Sequence, residues 1–285
     1  MTTDADDLTT TTGTGVRNLV VHASVALVAA HLVVVLLHEL AHVAAGVALG
    51  FSNELFPFGV VHSPEPDDGR DVVMLLAGPV FSLVTGLLAM TFQPFRRGPG
   101  QAHLLWLWFA GMSTMEGIGY LMLTPFGVGD TGTAADLLDV PALVSWGALA
   151  VAVLGTVGTA RWFAGPAVRH TAGDLGSLRA FTFYPWIVGT VVVLALNALN
   201  LVLVGDALGP EMGPGVVVAV LMGAFALGVF APMAMPFTTA VQRRDPGAAG
   251  SEPMALPRVP VLGLVLLVVV VLVNLVVLVP GLRIG

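Results

Sequence analysis

The sequence predicts an all-α membrane protein, a polytopic bundle of about seven transmembrane helices with a short β-prone loop after the first helix. Composition is one reason, because 56% of the 285 residues are hydrophobic and only 10% are charged. The mean hydropathy is +0.91. A second reason is a series of apolar runs of about 20 residues, the length at which an α-helix crosses a bilayer. Both observations are typical of a multi-pass integral membrane protein.

The apolar runs predict seven spans, separated by segments that contain Gly, Pro and acidic residues. The first helix is predicted at residues 16–50 and would be about 50 Å long, which exceeds the roughly 30 Å hydrocarbon core of a bilayer. The remaining spans are predicted at 72–92, 102–123, 141–162, 184–204, 214–237 and 259–279. Helical bundles with short connections of this kind place successive helices antiparallel.

The polar segments divide the chain further. Residues 1–15 are Thr-rich and acidic, which predicts a disordered tail. We expect a core at 16–140 with three spans and an acidic loop, an additional three-span bundle at 141–238, a flexible linker at 239–258 and a last span within 259–285. A β-prone piece at 56–62 lies between turn signals in the loop after the first helix.

The basic residues predict an orientation. All 11 of them are Arg. Under the seven-span topology nine fall on one side, which the positive-inside rule assigns to the cytoplasm together with the N-terminus. The C-terminus is then predicted outside. These nine residues are Arg17, Arg96, Arg97, Arg161, Arg169, Arg179, Arg243, Arg244 and Arg258.

Charge and cysteine usage exclude several classes of function. The net charge is −7 and no basic stripe is present, which argues against a nucleic-acid partner. The chain has no Cys, so a disulfide framework, a thiolate metal site and a Cys nucleophile are all excluded. Any metal ion would therefore be bound by His and carboxylate side chains.

The strongest chemical signal is an H-E-x-x-H pattern inside the first apolar run. His38, Glu39 and His42 lie within one helical turn, and residues four apart share one face of a helix. Ionisable side chains in a spanning helix cost several kcal/mol, roughly 3 by insertion scales, which favours a functional role. The two His would bind Zn²⁺, and Glu39 would deprotonate a Zn-bound water.

A zinc hydrolase needs a third protein ligand and one open position. The predicted spans one and three run in the same direction, so the loop after span three lies on the side of the membrane where the first helix ends. That loop contains Asp130, Asp136 and Asp139. Asp130 lies nearest to the end of span three and is the preferred ligand, with Asp136 and Asp139 as alternatives.

Two further motifs accompany this pattern. The second span contains Ala77-Gly78-Pro79, and Pro125 precedes Asp130 by five residues. In this order the three elements, which cover roughly residues 30 to 140, resemble the site-2 protease group of intramembrane zinc metalloproteases. Members of that group generally place their zinc toward the cytoplasm, whereas the Arg distribution places His42 and Asp130 toward the exterior.

The resemblance implies regulated intramembrane proteolysis: a membrane-embedded endopeptidase that cleaves membrane-embedded or membrane-proximal peptides, with Asp130 as the third zinc ligand. It also implies β-strand addition of an extended substrate along Phe56, Phe58 and Val60. Ser82 and Met122 stand where that family usually has Asn.

Two side chains could orient a ligand His from an outer shell. Glu116 lies in span three, about two turns before its end, and Ser82 follows the Gly-Pro motif in span two. The alternative for Glu116 is a protonated side chain that hydrogen-bonds to a neighbouring helix, and the sequence pattern is the same in both cases.

Two alternatives from other classes remain. A divalent-metal transporter, or a metal-binding membrane protein without protease activity, would also use intramembrane His and Glu, and Glu116 is the one further carboxylate at a suitable depth. A b-type cytochrome would need His residues on facing helices, and His103 has no evident partner in the sequence. Metal content and haem absorbance of the purified protein distinguish the three.

Overall fold

The predicted fold class is confirmed. The computed structural model describes residues 5–208 and 214–285, which fold into ten α-helices and one small antiparallel sheet. The bounds are α1 Ala5–Ala48, β1 Ser52–Phe56, β2 Gly59–Ser63, α2 Asp68–Thr91, α3 Gln101–Leu123, α4 Gly129–Leu137, α5 Ala142–His170, α6 Leu175–Phe181, α7 Phe183–Leu208, α8 Pro214–Ala226, α9 Phe230–Arg244, α10 Val261–Leu272 and β3 Leu282–Ile284. A 3₁₀ turn at Thr124–Phe126 follows α3, and a π-helical turn at Val273–Leu278 follows α10.

Six stretches of helix in this part of the chain are long and apolar enough to cross a membrane, which supports a multi-pass membrane protein. They are Gly15–Ala48, Asp68–Thr91, Ala142–His170, Leu175–Gly205, Val220–Arg244 and Val261–Leu278. The predicted third span corresponds to α3, which has 23 residues and is not among these six stretches. Most of α3 from Gln101 to Ile118 is buried among α1, α2 and α5. Because α3 is shielded from lipid, it can carry polar side chains such as Glu116 that face the interior of the bundle.

The first helix starts earlier than predicted. It begins at Ala5, so the polar residues from there to residue 15 belong to α1, while residues 1–4 of the predicted tail lie outside the described residues. At 44 residues the helix is about 66 Å long. Extension of an existing helix adds one hydrogen bond per residue fixed, so a polar segment with modest helix propensity can continue it.

The predicted β-prone loop is a hairpin. β1 pairs with β2 from Ser52 opposite Ser63 to Phe56 opposite Gly59. The predicted single piece at 56–62 therefore contains a turn. The short strand β3 pairs with the other edge of β1, so the strand order is β2-β1-β3. This pairing places Leu282–Ile284 beside the end of α1.

The core of the bundle lies between α1, α3, α5 and α9. Its centre is a group of aromatic rings, in which Phe163 lies 5.2 Å from Trp108 and 5.0 Å from Phe230 between ring centroids. All three side chains are fully buried. Trp108 belongs to the predicted unit at 16–140, whereas Phe163 and Phe230 belong to the predicted unit at 141–238.

The helices α2 and α3 approach each other closely at two glycines. A Cβ atom built at Gly117 would lie 2.6 Å from the Cβ of Leu83 and 2.7 Å from the carbonyl oxygen of Pro79. One built at Gly86 would lie 2.7 Å from the Cα of Thr114. Small residues that allow close backbone contact are a main source of helix association in membranes.

We expect Gly117→Ala to lower the free energy of unfolding by about 1–3 kcal/mol, because the added methyl group overpacks the contact between α2 and α3. Reversible unfolding in mixed micelles measures this change. Gly119→Ala is the matched control, since a Cβ there meets nothing within 4 Å. If Gly117→Ala and Gly119→Ala unfold at the same denaturant concentration, the close contact does not exist.

The predicted flexible linker makes specific long-range contacts. Its first residues continue α9 to Arg244, and the remainder crosses the ends of α3 and α5. The Arg96 guanidinium lies 2.8 Å from the Glu252 carboxylate and lowers its pKa. The backbone N–H of Glu252 donates a hydrogen bond to the backbone carbonyl of Arg169 at 3.0 Å. Partners so far away in the sequence could not be deduced from the local composition of the linker.

Candidate metal centre

The helix α1 brings the two predicted histidine ligands together. The Nε2 atoms of His38 and His42 lie 3.0 Å apart, and their rings meet edge to face with centroids 4.7 Å apart. Both side chains are buried. The four-residue spacing on one helix is sufficient to produce this pair.

A tight turn brings the third predicted ligand to the same point. Gly127 and Gly129 both have positive φ angles, at 63° and 69°, and they redirect the chain from the end of α3 into α4. At the start of α4, one carboxylate oxygen of Asp130 lies 3.0 Å from Nε2 of His38 and 3.2 Å from Nε2 of His42. The preferred ligand therefore reaches both imidazoles.

The alternative third ligands do not join this group. Asp136 and Asp139 are both exposed. The Asp136 carboxylate lies beside Gly127, where a Cβ would be 2.7 Å from one of its oxygens. Among the described residues, His38, His42 and Asp130 form the one group of three such side chains whose donor atoms are close enough to hold a metal ion.

The spacing of the three donor atoms fits a metal ion. All of them lie within 4.8 Å of one another, and the measured separations are 3.0 to 3.2 Å. Bonds of about 2.0–2.2 Å in a tetrahedral zinc site separate neighbouring ligand atoms by roughly 3.3–3.6 Å. A small outward movement of each side chain would therefore accommodate an ion.

The protonation state of Asp130 also suits a ligand. Burial by itself would raise its pKa, but hydrogen bonds from the protonated imidazoles of His38 and His42 outweigh burial and lower the pKa to about 2. The carboxylate is therefore ionised at neutral pH and offers a negatively charged oxygen.

Outer contacts orient both imidazoles. With its ring proton on Nδ1, His42 donates to the carbonyl oxygen of Met74 at 2.7 Å. In the same tautomer His38 donates to the Ser82 hydroxyl at 3.2 Å. Once Nε2 has lost its proton, its lone pair is free to bind a metal ion, which is the arrangement usual for metal-binding histidines. Ser82 was predicted for this position, whereas a backbone carbonyl such as that of Met74 leaves no signal in the sequence.

We expect Ser82→Ala to weaken metal binding by about 10-fold, because outer-shell partners of ligand histidines typically contribute 10- to 100-fold to affinity. Metal titration of the purified chain by calorimetry measures the change. Ser24→Ala is the control, since Ser24 is also buried in a helix and its hydroxyl has no partner among the described residues. Equal affinities in the two variants would show that the hydroxyl of Ser82 does not orient His38.

The Gly-Pro motif leaves the space between the histidines open. A Cβ atom built at Gly78 would lie 2.6 Å from Nε2 of His38 and closer still to Nε2 of His42. Any side chain at this position of α2 would therefore occupy the point on which the metal-binding atoms converge. The carbonyl oxygen of the neighbouring Pro79 lies against Gly117 on α3.

The two predicted glutamates lie beside this group. Glu39 is buried, and its carboxylate has no hydrogen-bond partner within the described residues. Glu116 is also buried, with one carboxylate oxygen 3.8 Å from Nδ1 of His38, which is too long for a hydrogen bond. The Ser82 hydroxyl is the nearer partner of that nitrogen.

The three residues of the predicted substrate strand do not share one edge. Phe56 ends β1, the middle strand, and is buried. Phe58 lies in the hairpin turn. Val60 belongs to β2, whose outer edge pairs with no strand in the described part of the chain. An added strand could therefore pair along β2 at Val60, but not along all three predicted positions.

Other histidines do not reach the metal-binding group. The Nδ1–H group of His62 donates a hydrogen bond to the side-chain amide oxygen of Asn53, at 2.7 Å. His103 has a partner that the sequence did not reveal, because its Nε2 lies 3.2 Å from Nε2 of His170 on α5. The two rings are in direct contact, with centroids 5.0 Å apart, so a haem cannot lie between them. The arrangement gives no support to the cytochrome alternative.

One aromatic contact at the site was not expected from the sequence. The ring of Tyr120, near the end of α3, stacks on His38 with centroids 4.8 Å apart and an interplanar angle of 10°.

Comparison of the chain with protein families, curated proteins and solved structures found no match. Membership of the site-2 protease group stays a prediction from the three motifs.

Proposed function

We propose that this chain is an intramembrane zinc endopeptidase of the site-2 protease type. One observation carries the proposal: the donor atoms of His38, His42 and Asp130 converge within 3.2 Å of one another, with Glu39 adjacent in the sequence. Two imidazoles and one carboxylate are the ligand set of several zinc peptidases, and they leave one coordination position open.

Zinc suits these donors. Imidazole nitrogen with a single carboxylate favours Zn²⁺ over Mg²⁺ and Ca²⁺, which prefer sites made of oxygen atoms. The hydrogen bond from Nδ1 of His42 to the Met74 carbonyl requires the tautomer that leaves Nε2 free for zinc, and the contact of the His38 Nδ1 with Ser82 is compatible with the same tautomer. A zinc ion at this point would polarise a peptide carbonyl and lower the pKa of water.

The residues of the chain would divide the remaining work. Glu39 would accept the proton of the attacking water and later return it to the leaving amine, as a general base and then a general acid. Glu39 follows His38 directly on α1 and is buried, which keeps its carboxylate away from bulk water. The ionised Asp130 supplies the charge that balances a bound cation.

Two features support a substrate that lies in or beside the bilayer. An apolar groove of about 540 Å³ lies between α1 and α2, and its lining includes Leu40 and Ala41 of the H-E-x-x-H turn. The outer edge of β2 could pair with an extended segment at Val60. Together they suit a membrane peptide whose helical part contacts the groove and whose unwound part reaches the site.

Cleavage of membrane peptides by the purified chain in lipid nanodiscs tests the proposal. We expect metal-dependent products by mass spectrometry from a pool of single-span peptides, loss of cleavage with a chelator and recovery with Zn²⁺. His38→Ala and Asp130→Ala should bind no metal and cleave nothing. A chain that binds zinc but cleaves no peptide, and instead moves zinc into proteoliposomes, would contradict the peptidase and support the transporter.

A further inference from the structure

The ring of Tyr120 fixes the plane of one metal-binding histidine. It stacks almost parallel on His38, with an interplanar angle of 10°. An imidazole on an isolated helix can turn about its last side-chain bond, which has a broad energy well. A parallel aromatic neighbour restricts this rotation and holds Nε2 in the direction of Asp130.

The same ring supports the backbone just before the third ligand. A Cβ atom built at Gly129 would lie 3.1 Å and 3.2 Å from two ring carbons of Tyr120. The Cα of Gly129 therefore packs directly against the ring edge. A larger residue there would push the start of α4 away from the histidines.

The backbone of Tyr120 supports the residue just after the third ligand. Its carbonyl oxygen accepts a hydrogen bond from the Thr131 hydroxyl at 2.6 Å. The Thr124 hydroxyl donates to Thr131 at 2.9 Å and also approaches the same carbonyl, at 3.3 Å. Asp130 is thus flanked on both sides by residues that contact Tyr120.

We propose that Tyr120 is a positioning residue that sets the distance between His38 and Asp130. These two side chains come from α1 and α4, and Tyr120 on α3 contacts both His38 and the two neighbours of Asp130. The inference rests on the proposed metal centre and goes beyond it, because Tyr120 does not itself bind the metal. The ring and the carbonyl carry this role, so the phenol hydroxyl is not required.

Variants of the full chain with bound Co²⁺ test the ring. Co²⁺ in a tetrahedral site absorbs visible light strongly, which reports the coordination geometry directly. Tyr120→Leu should weaken Co²⁺ and Zn²⁺ binding by about 10-fold or more and lower the absorbance, in line with the usual effect of outer-shell changes. Tyr120→Phe should bind as the wild type does. Phe109→Leu makes the same kind of change elsewhere on α3 and should have no effect on binding.

A second pair of variants tests the carbonyl contact if Tyr120→Leu fails to fold. Thr131→Val removes the hydroxyl that donates to Tyr120 and should also weaken Co²⁺ binding, while Thr133→Val, at an exposed position of the same helix, should not. Wild-type affinity and absorbance in Tyr120→Leu or Thr131→Val would overturn the inference. Equal losses in Tyr120→Phe and Tyr120→Leu would also overturn it. A wild-type chain that binds neither ion would contradict the metal centre itself.

Discussion

A Glu39→Gln variant is expected to bind zinc with the affinity of the wild type and to lose about 100- to 10,000-fold of its peptidase activity. This is the range that a positioned general base contributes to a reaction. Gln has nearly the same shape but cannot accept a proton. The carboxylate of Glu39 has no hydrogen-bond partner within the described residues, so the change leaves the packing of α1 intact. Single-turnover cleavage of a membrane peptide measures the loss.

Glu116→Gln is the matched control for this variant. Glu116 is also buried near His38, but its carboxylate lies 3.8 Å from Nδ1 of that ring. The Ser82 hydroxyl is the hydrogen-bond partner of this nitrogen instead. We expect Glu116→Gln to retain most of the activity. Full activity in Glu39→Gln, or equal losses in both variants, would show that Glu39 is not the general base.

Gly78→Ala is expected to abolish metal binding while the chain still folds. The new methyl group would lie 2.6 Å from Nε2 of His38 and nearer to that of His42, in the space where the metal ion would be. Changes outside the ligand shell cost 10- to 100-fold in affinity, and a group placed between the ligands should cost at least about 100-fold. Calorimetric titration with Zn²⁺ measures the affinity, and circular dichroism measures the helical content.

The control for this prediction is Gly119→Ala, which adds the same methyl group to the neighbouring helix where nothing lies within 4 Å. It should bind zinc normally. If Gly78→Ala also binds zinc with wild-type affinity, the ion does not lie between His38 and His42. Cleavage by that variant would in addition remove the reason for the glycine in the Gly-Pro motif.

The metal-binding residues could be predicted because their geometry is local or follows from the direction of the helices. His38 and His42 meet because they are four residues apart on one helix. Asp130 could be placed because α1 and α3 end on the same side and a glycine turn follows α3. Both inferences need only the helical repeat and the number of spans.

The supporting contacts could not be predicted, because they depend on how helices pack. The carbonyl of Met74 and the ring of Tyr120 become partners of His42 and His38 only after α2 and α3 lie against α1. The pairing of β3 with β1 joins segments more than 200 residues apart. Three residues such as Leu282–Ile284 are too short to show a strand periodicity.

Contacts with distant parts of the chain also explain why some elements differ from prediction. Local composition predicts a β-prone piece at 56–62 between turn signals, but not that a turn falls at Pro57 and Phe58 and separates Phe56 from Val60. The contact between Arg96 and Glu252 of the predicted linker likewise joins residues that are far apart in the sequence. In each case the deciding contact comes from another part of the chain.

X-ray absorption spectroscopy at the zinc edge of the purified wild-type chain tests the central claim most directly. The predicted result is one zinc ion per chain, bound by two imidazole nitrogens and one carboxylate oxygen at about 2.0–2.2 Å, and no bound zinc in Asp130→Ala. A chain that contains no zinc after equilibration with the ion, or a zinc spectrum without imidazole scattering, would contradict it.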